Sequence, residues 1–402
     1  MKIKEPYLFI EINDQNFIFF VIEYGENLDF KILDTIFVKS EGVFKGKIID
    51  VSATTKIIKD NLEIIEKKID FIFYDATIVS DQYDYDCINV SGFKKLGGSQ
   101  ILNEDISFVI NNIKKIILEN NSHKNLIHLF NSRFMLDNTV LDKAPLNLYG
   151  EYYNQQLTFL LLLKSDIKNI KLVLGNCNIN IDRIVLKSFV DGIYKIVNNK
   201  TKNSFMMIDF KKDMSQVRVF QNLSFSYSES FSFGTDMLIK DVSKLCSLDI
   251  EDVKAIFSDI CFDKILPSDQ NQYLSQKYFS NSNFRKISLD HIKNIFLARI
   301  REIVNIVYKK NVNLAFNKNL INNIYLQFND QSLNKSIKDS FYYEFPKNKN
   351  TTILEQAEND ELGACKGAAE LVVNGWEKEA IPIIQTKKTF IAKLFDRIFG
   401  NL

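Results

Sequence analysis

At 402 residues and 46.7 kDa, with 46% hydrophobic and 25% charged residues, the chain holds enough apolar material for two or three domains. Disorder over most of its length is excluded. Lysine plus arginine total 51 against 50 aspartate plus glutamate, so a net charge of +1 excludes the basic excess of a general nucleic-acid binder. Glycine is only 14 of 402, or 3.5%, about half the usual ~7%. That argues against a phosphate cradle, where backbone must close on an anion.

Residues 1–6 run directly into an alternating strand with no long apolar segment, so no secretory leader is expected. Residues 7–24 predict a strand, a tight turn at Asn13-Asp14-Gln15-Asn16 and a second strand from Phe17. Further strands are predicted at 28–38 and 46–49, a helix at 54–68 from the spacing of Ile57, Ile58, Leu62, Ile64 and Ile65, and a buried strand at 69–73. A meander followed by helix and strand predicts mixed α/β architecture.

A distinct insert is predicted at about 85–164. It opens with a strand at 87–91 and a bend at Gly97-Gly98. A helix from Asn103 follows, and then strands at 126–130, 132–137 and 156–163. The longest apolar run, 157–163, falls far short of the ~20 residues of a spanning helix, so no membrane crossing is expected. Residues 167–174 and 181–197 return to α/β texture.

From Ser204 the opening repeats. Strands at 205–210 and 217–220 flank a turn at 211–216, and a third strand at 224–233 follows, which predicts two related halves. Helices are predicted at 236–246, 250–260, 288–310 and 362–373, a strand at 321–328 and a polar loop at 347–352. Cys87, Cys177, Cys246, Cys261 and Cys365 are too far apart for a CxxC metal site and fit buried, reduced thiols. His123, His128 and His291 are too scattered for a catalytic constellation, and structural roles are expected for them.

The chain closes on a sharply amphipathic segment. Phe390, Ile391, Leu394, Phe395, Ile398, Phe399 and Leu402 share one helical face. Lys387, Lys388, Lys393 and Arg397 oppose one acid, Asp396, for a net +3 (four minus one). Sixteen residues make a helix of about 24 Å, too short and too charged to cross a bilayer. The pattern suits a helix lying in an anionic membrane surface, where each basic residue contributes about 1 kcal/mol. Docking on the protein's own core and insertion into a partner's groove are the alternatives.

Several stretches, in consistent order, resemble the bacterial cell-division family FtsA, of actin-like fold. They are Val90-Ser91-Gly92, His128-Leu129-Phe130, Phe134 to Asp137, Pro145-Leu146-Asn147-Leu148-Tyr149-Gly150, Cys177 to Asp182, Phe233-Gly234-Thr235-Asp236 with Lys240-Asp241-Val242, and Arg299 to Val307. The lysine- and phenylalanine-rich tail falls where that family carries its membrane-targeting helix. The resemblance implies a duplicated, ribonuclease-H-like α/β fold. Subdomain 1A would take 1–84 with 165–202 and 356–380, and the family-specific 1C insert 85–164. Subdomain 2A would take 203–240 and 300–355, and 2B 241–299, with linker and amphipathic helix at 381–402. It implies a role in tethering the FtsZ ring to the cytoplasmic face of the inner membrane. Self-association, contacts with other division proteins and a peripheral location at the division site are also implied. Partner binding in the family uses 2B, which here points to residues 248–285, opening at Leu248 and closing at Arg285.

The resemblance also implies ATP with Mg²⁺, but the family's nucleotide turns are degraded here. The glycine of the first turn is absent from Glu11-Ile12-Asn13-Asp14-Gln15-Asn16. The glycine-rich second turn becomes Asp209-Phe210-Lys211-Lys212-Asp213-Met214. The adenosine turn becomes Leu326-Gln327-Phe328-Asn329. Asp14, Asp209 and Asp213 are the residues left that could hold Mg²⁺, and Lys211 and Lys212 the ones that could meet a phosphate. Ordinary polar turns with no ATP hydrolysis are the expectation. An actin-like ATPase or kinase, and an actin-like adaptor of a pilus or secretion system, are the competing readings.

Overall fold

Alternating, mostly apolar residues form β1 (Pro6–Ile12) and β2 (Asn16–Tyr24), paired antiparallel from Pro6↔Glu23 to Ile12↔Phe17. β3 (Phe30–Lys39) completes the meander. The expected strand at 46–49 is instead a small hairpin of β4 (Val43–Phe44) and β5 (Lys47–Ile48), because Lys45 and Gly46 both take positive φ between them. Asp50 caps α1 (Val51–Ile69) by accepting the Ala53 N–H at 3.0 Å, and the helix stops where Asp70 turns left-handed. The strand expected at 69–73 is therefore displaced to β6 (Asp75–Ser80), which lies parallel to β1.

A separate four-stranded sheet comes next. Its strands are β7 (Asp86–Lys95), β8 (Lys124–Leu136), β9 (Thr139–Leu141) and β10 (Tyr152–Leu163), in the order β7-β10-β8-β9, and α2 (Asn103–Asn120) connects β7 to β8. The two strands expected at 126–130 and 132–137 are one. The register steps from Gln156↔Arg133 to Leu157↔Asn131, so Ser132 is the extra residue of a β-bulge and not a break. Val109, Ile113 and Ile117 of α2 close a core with Leu126, Leu129, Phe134, Tyr153, Leu157 and Phe159. α3 (Lys164–Asn176), β11 (Asn180–Leu186) and α4 (Lys187–Asn199) follow.

The second half begins with β12 (Phe205–Phe210), β13 (Ser215–Gln221) and β14 (Ser224–Phe231). α5 (Asp236–Cys246), α6 (Ile250–Asp259) and α7 (Leu289–Val304) come after them. The helix expected over 288–310 widens at Asn305–Lys309 into a π turn. α8 (Ala315–Lys318), β15 (Asn323–Phe328), α9 (Lys335–Glu344), β16 (Thr352–Glu355) and α10 (Gly363–Asn374) complete the chain order. Neither α9 nor β16 is foreseen in the sequence.

This computed structural model describes residues 5–25, 29–199, 204–262, 271–318, 320–330, 333–346, 352–355 and 361–380. Contacts divide the chain into two units. One is Met1–Lys202 with Asn222–Tyr227 and Asn359–Leu402, the other Asn203–Gln221 with Ser228–Glu358. One five-stranded sheet runs β11-β6-β1-β2-β3 and the other β16-β15-β12-β13-β14. In each, an antiparallel hairpin leads the sheet and parallel strands extend its first strand (β1 with β6, β12 with β15). This is the duplication that the repeated strand-turn-strand pattern predicts.

Small residues let α10 lie close to α4. A Cβ at Gly367 would sit 2.0 Å from the Val190 carbonyl oxygen, a rigid backbone atom. Gly367→Ala is accordingly expected to cost about 1–3 kcal/mol, several degrees of melting temperature in calorimetry. An unchanged melting temperature would contradict the close approach.

Candidate functional site

The first hairpin turn is closed by its own side chains. Glu11 ends β1 fully buried, and Asn13 Nδ2 donates to its Oε1 at 2.8 Å. Asn13 Oδ1 in turn accepts the backbone N–H groups of Gln15 (2.9 Å) and Asn16 (2.8 Å). Two amides at a hairpin tip are the donors an anion would need, and here a side-chain carbonyl holds both. Asp14 is exposed beside them, with Oδ1 accepting the Gly46 N–H at 2.7 Å. Behind the turn, Lys187 Nζ lies 2.5 Å from Glu11 Oε1, and Cys365 Sγ 3.6 Å from Oε2. Burial alone would lower the Lys187 pKa, but Glu11, then Asp81 and Asp191, outweigh it and hold the ammonium charged. Burial, then Glu11, pushes the Cys365 thiol far up, which makes it an unreactive neutral group.

The second hairpin is also filled from within. Lys211 N–H donates to Met214 O at 2.9 Å. The carbonyls of Lys211 and Lys212 accept the N–H groups of Thr235 (3.0 Å) and Asp236 (2.8 Å). A Cβ on Gly234 would meet Lys211 O at 2.2 Å and Met214 N at 2.6 Å, so only glycine allows this loop to lie on the turn. Asp209 is buried and paired with the buried Arg218 Nη2 across β12 and β13. Lys212 and Asp213 are exposed and Lys211 is half-buried. The structure thus gathers Asp209, Lys211, Lys212 and Asp213 on one hairpin of the second unit, while Asp14 belongs to the first. At the end of β15, Phe328 stacks on Phe210 (centroids 5.4 Å apart, 21°) and packs against Phe341 at 5.3 Å. Rings fill the position of the expected adenosine turn. A phosphate fits the first turn poorly, because it would have to displace Asn13 from both amides.

The best-built polar cluster lies at the root of the tail. Residues 376–380 lie along β8. Asn131 N–H donates to Lys378 O and Ala380 N–H to Leu129 O, each at 2.7 Å. Trp376 Nε1 donates to Leu223 O at 2.6 Å, and Lys378 Nζ to the Asp142 carbonyl. Glu379, with 4% of its side chain exposed, takes His128 Nδ1 at 2.7 Å and Arg183 Nη2 on the same oxygen. His128 Nε2 accepts the Leu186 N–H at 3.1 Å, so the imidazole is neutral and carries its proton on Nδ1. Burial, the largest influence, keeps His128 below its ordinary pKa. For Glu379 burial acts upward, but Arg183 and His128 prevail and hold it at about 2.

The predicted membrane residues Lys387, Lys388, Phe390, Ile391, Lys393, Leu394, Phe395, Arg397, Ile398, Phe399 and Leu402 lie outside the described residues. The candidate partner region is described except for 263–270. There the buried Asp252 accepts the N–H groups of Ser280 (3.1 Å) and Asn281 (3.2 Å) and the Ser282 hydroxyl (2.5 Å). Ile250, Tyr273 and Phe284 are left exposed. Sequence reasoning missed Asn13 as a plug and missed Glu379, Arg183 and Trp376 altogether. The only available signal was the loss of the turn glycine.

The duplicated sheet order defines an actin-like fold. Among solved structures, the PilM–PilN type IV pilus biogenesis complex matches with a TM-score of 0.52 at 10% identity, covering 94% of this chain and 98% of that one. In sequence the chain is similar to proteins named cell division protein FtsA. It is 21% identical to that of Buchnera aphidicola subsp. Schizaphis graminum over 303 residues, 74% of this chain and 71% of that protein. It is 21% identical to that of Helicobacter pylori over 236 residues, 57% of this chain and 47% of that protein. No protein-family model matches the chain.

Removing the charge of Glu379 leaves the partly buried Arg183 without its counter-ion, so Glu379→Gln is expected to cost about 3 kcal/mol in denaturant unfolding. The depressed acid also sets a pH dependence. Its contribution, about 3 kcal/mol for a fall from 4.5 to about 2, is complete above the unfolded value and lost as pH drops toward 2. Acid titration of the unfolding midpoint should show that loss in the parent and not in Glu379→Gln.

Proposed function

We propose that the chain is a cell-division adaptor. It would tether FtsZ polymer to the cytoplasmic face of the inner membrane as a peripheral protein, self-associate, and help recruit further division proteins. The observation that carries the reading is the similarity to FtsA proteins over about half to three quarters of the chain, joined to a cationic, phenylalanine-rich tail whose root is clamped by a buried network. Among the described residues no helix is long and apolar enough to cross a membrane. In this reading 85–164 acts as the 1C insert, 241–299 as 2B, and residues 248–285 receive the FtsZ peptide.

The self-filled turns support a scaffold role without ATP hydrolysis. Isothermal titration should give an ATP affinity weaker than ~1 mM, and a low-micromolar affinity would reverse this part of the reading. The pilus or secretion adaptor shares the fold. It is the weaker reading, because likeness at 10% identity speaks for fold alone.

The tether itself is tested by co-sedimentation with anionic liposomes. The intact chain should pellet, the chain ending at Gln385 should stay in solution, and Phe395→Glu should abolish pelleting by setting a charge in the apolar face. Equal pelleting of all three would refute membrane attachment by the tail.

A further inference from the structure

The sheet of β7, β10, β8 and β9 has an open edge at β7. This strand is ten residues long, free of proline, and pairs with β10 from Asp86↔Leu161 to Lys95↔Tyr152 without a register shift. Leu96 N–H donates to Glu151 O at 2.8 Å. By the alternation of an antiparallel ladder, even-numbered residues of β7 aim their backbone groups at β10, and Asn89, Ser91 and Phe93 aim theirs away from it. On that side no strand lies among the described residues. Long regular edges of this kind are templates for another strand, and proteins normally blunt them.

We propose that the occupant is a second copy of this chain, paired antiparallel through β7 about a two-fold axis at Val90. Such an axis, normal to the sheet, keeps each face on its own side, so only residues of the same face can oppose one another. Centring on Val90 sets Asp86 opposite Lys94 of the second copy, twice. It also sets Ile88 opposite Gly92, Val90 opposite Val90, and Asn89 opposite Ser91, while Lys95 falls outside the paired segment. Centring on Ser91 would set Ile88 against Lys94.

The charges extend inward on both sides, since Asp86 already pairs with Lys124 and Lys94 with Asp105 (2.6 Å). α2 lies over this edge strand, because a Cβ on Gly92 would meet Ile113 Cδ1 at 2.3 Å and Val109 Cγ1 at 2.8 Å. Phe108 of α2 is half exposed, with Lys94 Nζ 4.8 Å from its ring. Joining two edges brings the α2 helices together over the extended sheet and covers it.

This inference rests on the self-association in the proposed function and names its surface. Its test uses the purified full chain without lipid or FtsZ, so a failure here leaves the tether untouched. In a Cys87→Ser, Cys261→Ser background, an equal mixture of Asn89→Cys and Ser91→Cys proteins should give several-fold more disulfide-linked dimer than either alone. In addition, Ser91→Pro removes only an outward N–H, which an edge strand tolerates. It should convert a sedimenting dimer to monomer with unchanged circular dichroism. Mixed cross-linking no greater than that of the single variants overturns the proposal, as does a dimer that survives Ser91→Pro. Should Ser91→Pro misfold, the cross-linking comparison decides alone.

Discussion

Glu379 accepts His128 and Arg183 on one oxygen while almost fully buried. Through it the last described strand-like stretch, β8 and β11 become one structure. A buried carboxylate is stable only when its counter-charges are in place, so residues 376–380 hold their path along β8 as long as those partners do. The backbone bonds to Leu129 and Asn131 and the Trp376 bond to Leu223 add to the same seam.

The hairpin turns follow a related logic. Where glycine would leave amides bare for an anion, Asn13 supplies an oxygen to two of them and ties itself to Glu11, which Lys187 neutralises. In the second unit the Gly234–Asp236 stretch caps the turn and Arg218 neutralises Asp209. Each turn retains its shape by satisfying its donors and acceptors internally.

Much of the fold was legible because it rests on alternation and helical period. The opening hairpin, its repeat from residue 205, and α5 with the bounds 236–246 all follow from pattern. β6 was hidden because the apolar run at 69–73 outshone Asp75, Thr77 and Ser80, whose strand is buried on pairing with β1 and β11 and not by its composition. β8 looked broken because a bulge at Ser132 resembles a turn. Of the candidate site, the missing glycines were visible, but the plug was not, since nothing in the string says which way Asn13 turns. The clamp was invisible because Glu379 meets His128 across 251 positions, a distance over which one sequence carries no signal.

The proposed scaffold links polymer to membrane without needing a nucleotide of its own. The most direct measurement is flotation of assembled FtsZ polymer with anionic vesicles, with the full chain present, in the presence and absence of ATP. FtsZ is expected to float with the vesicles to the same extent in both. Flotation that requires ATP, or none with the chain present, would contradict it.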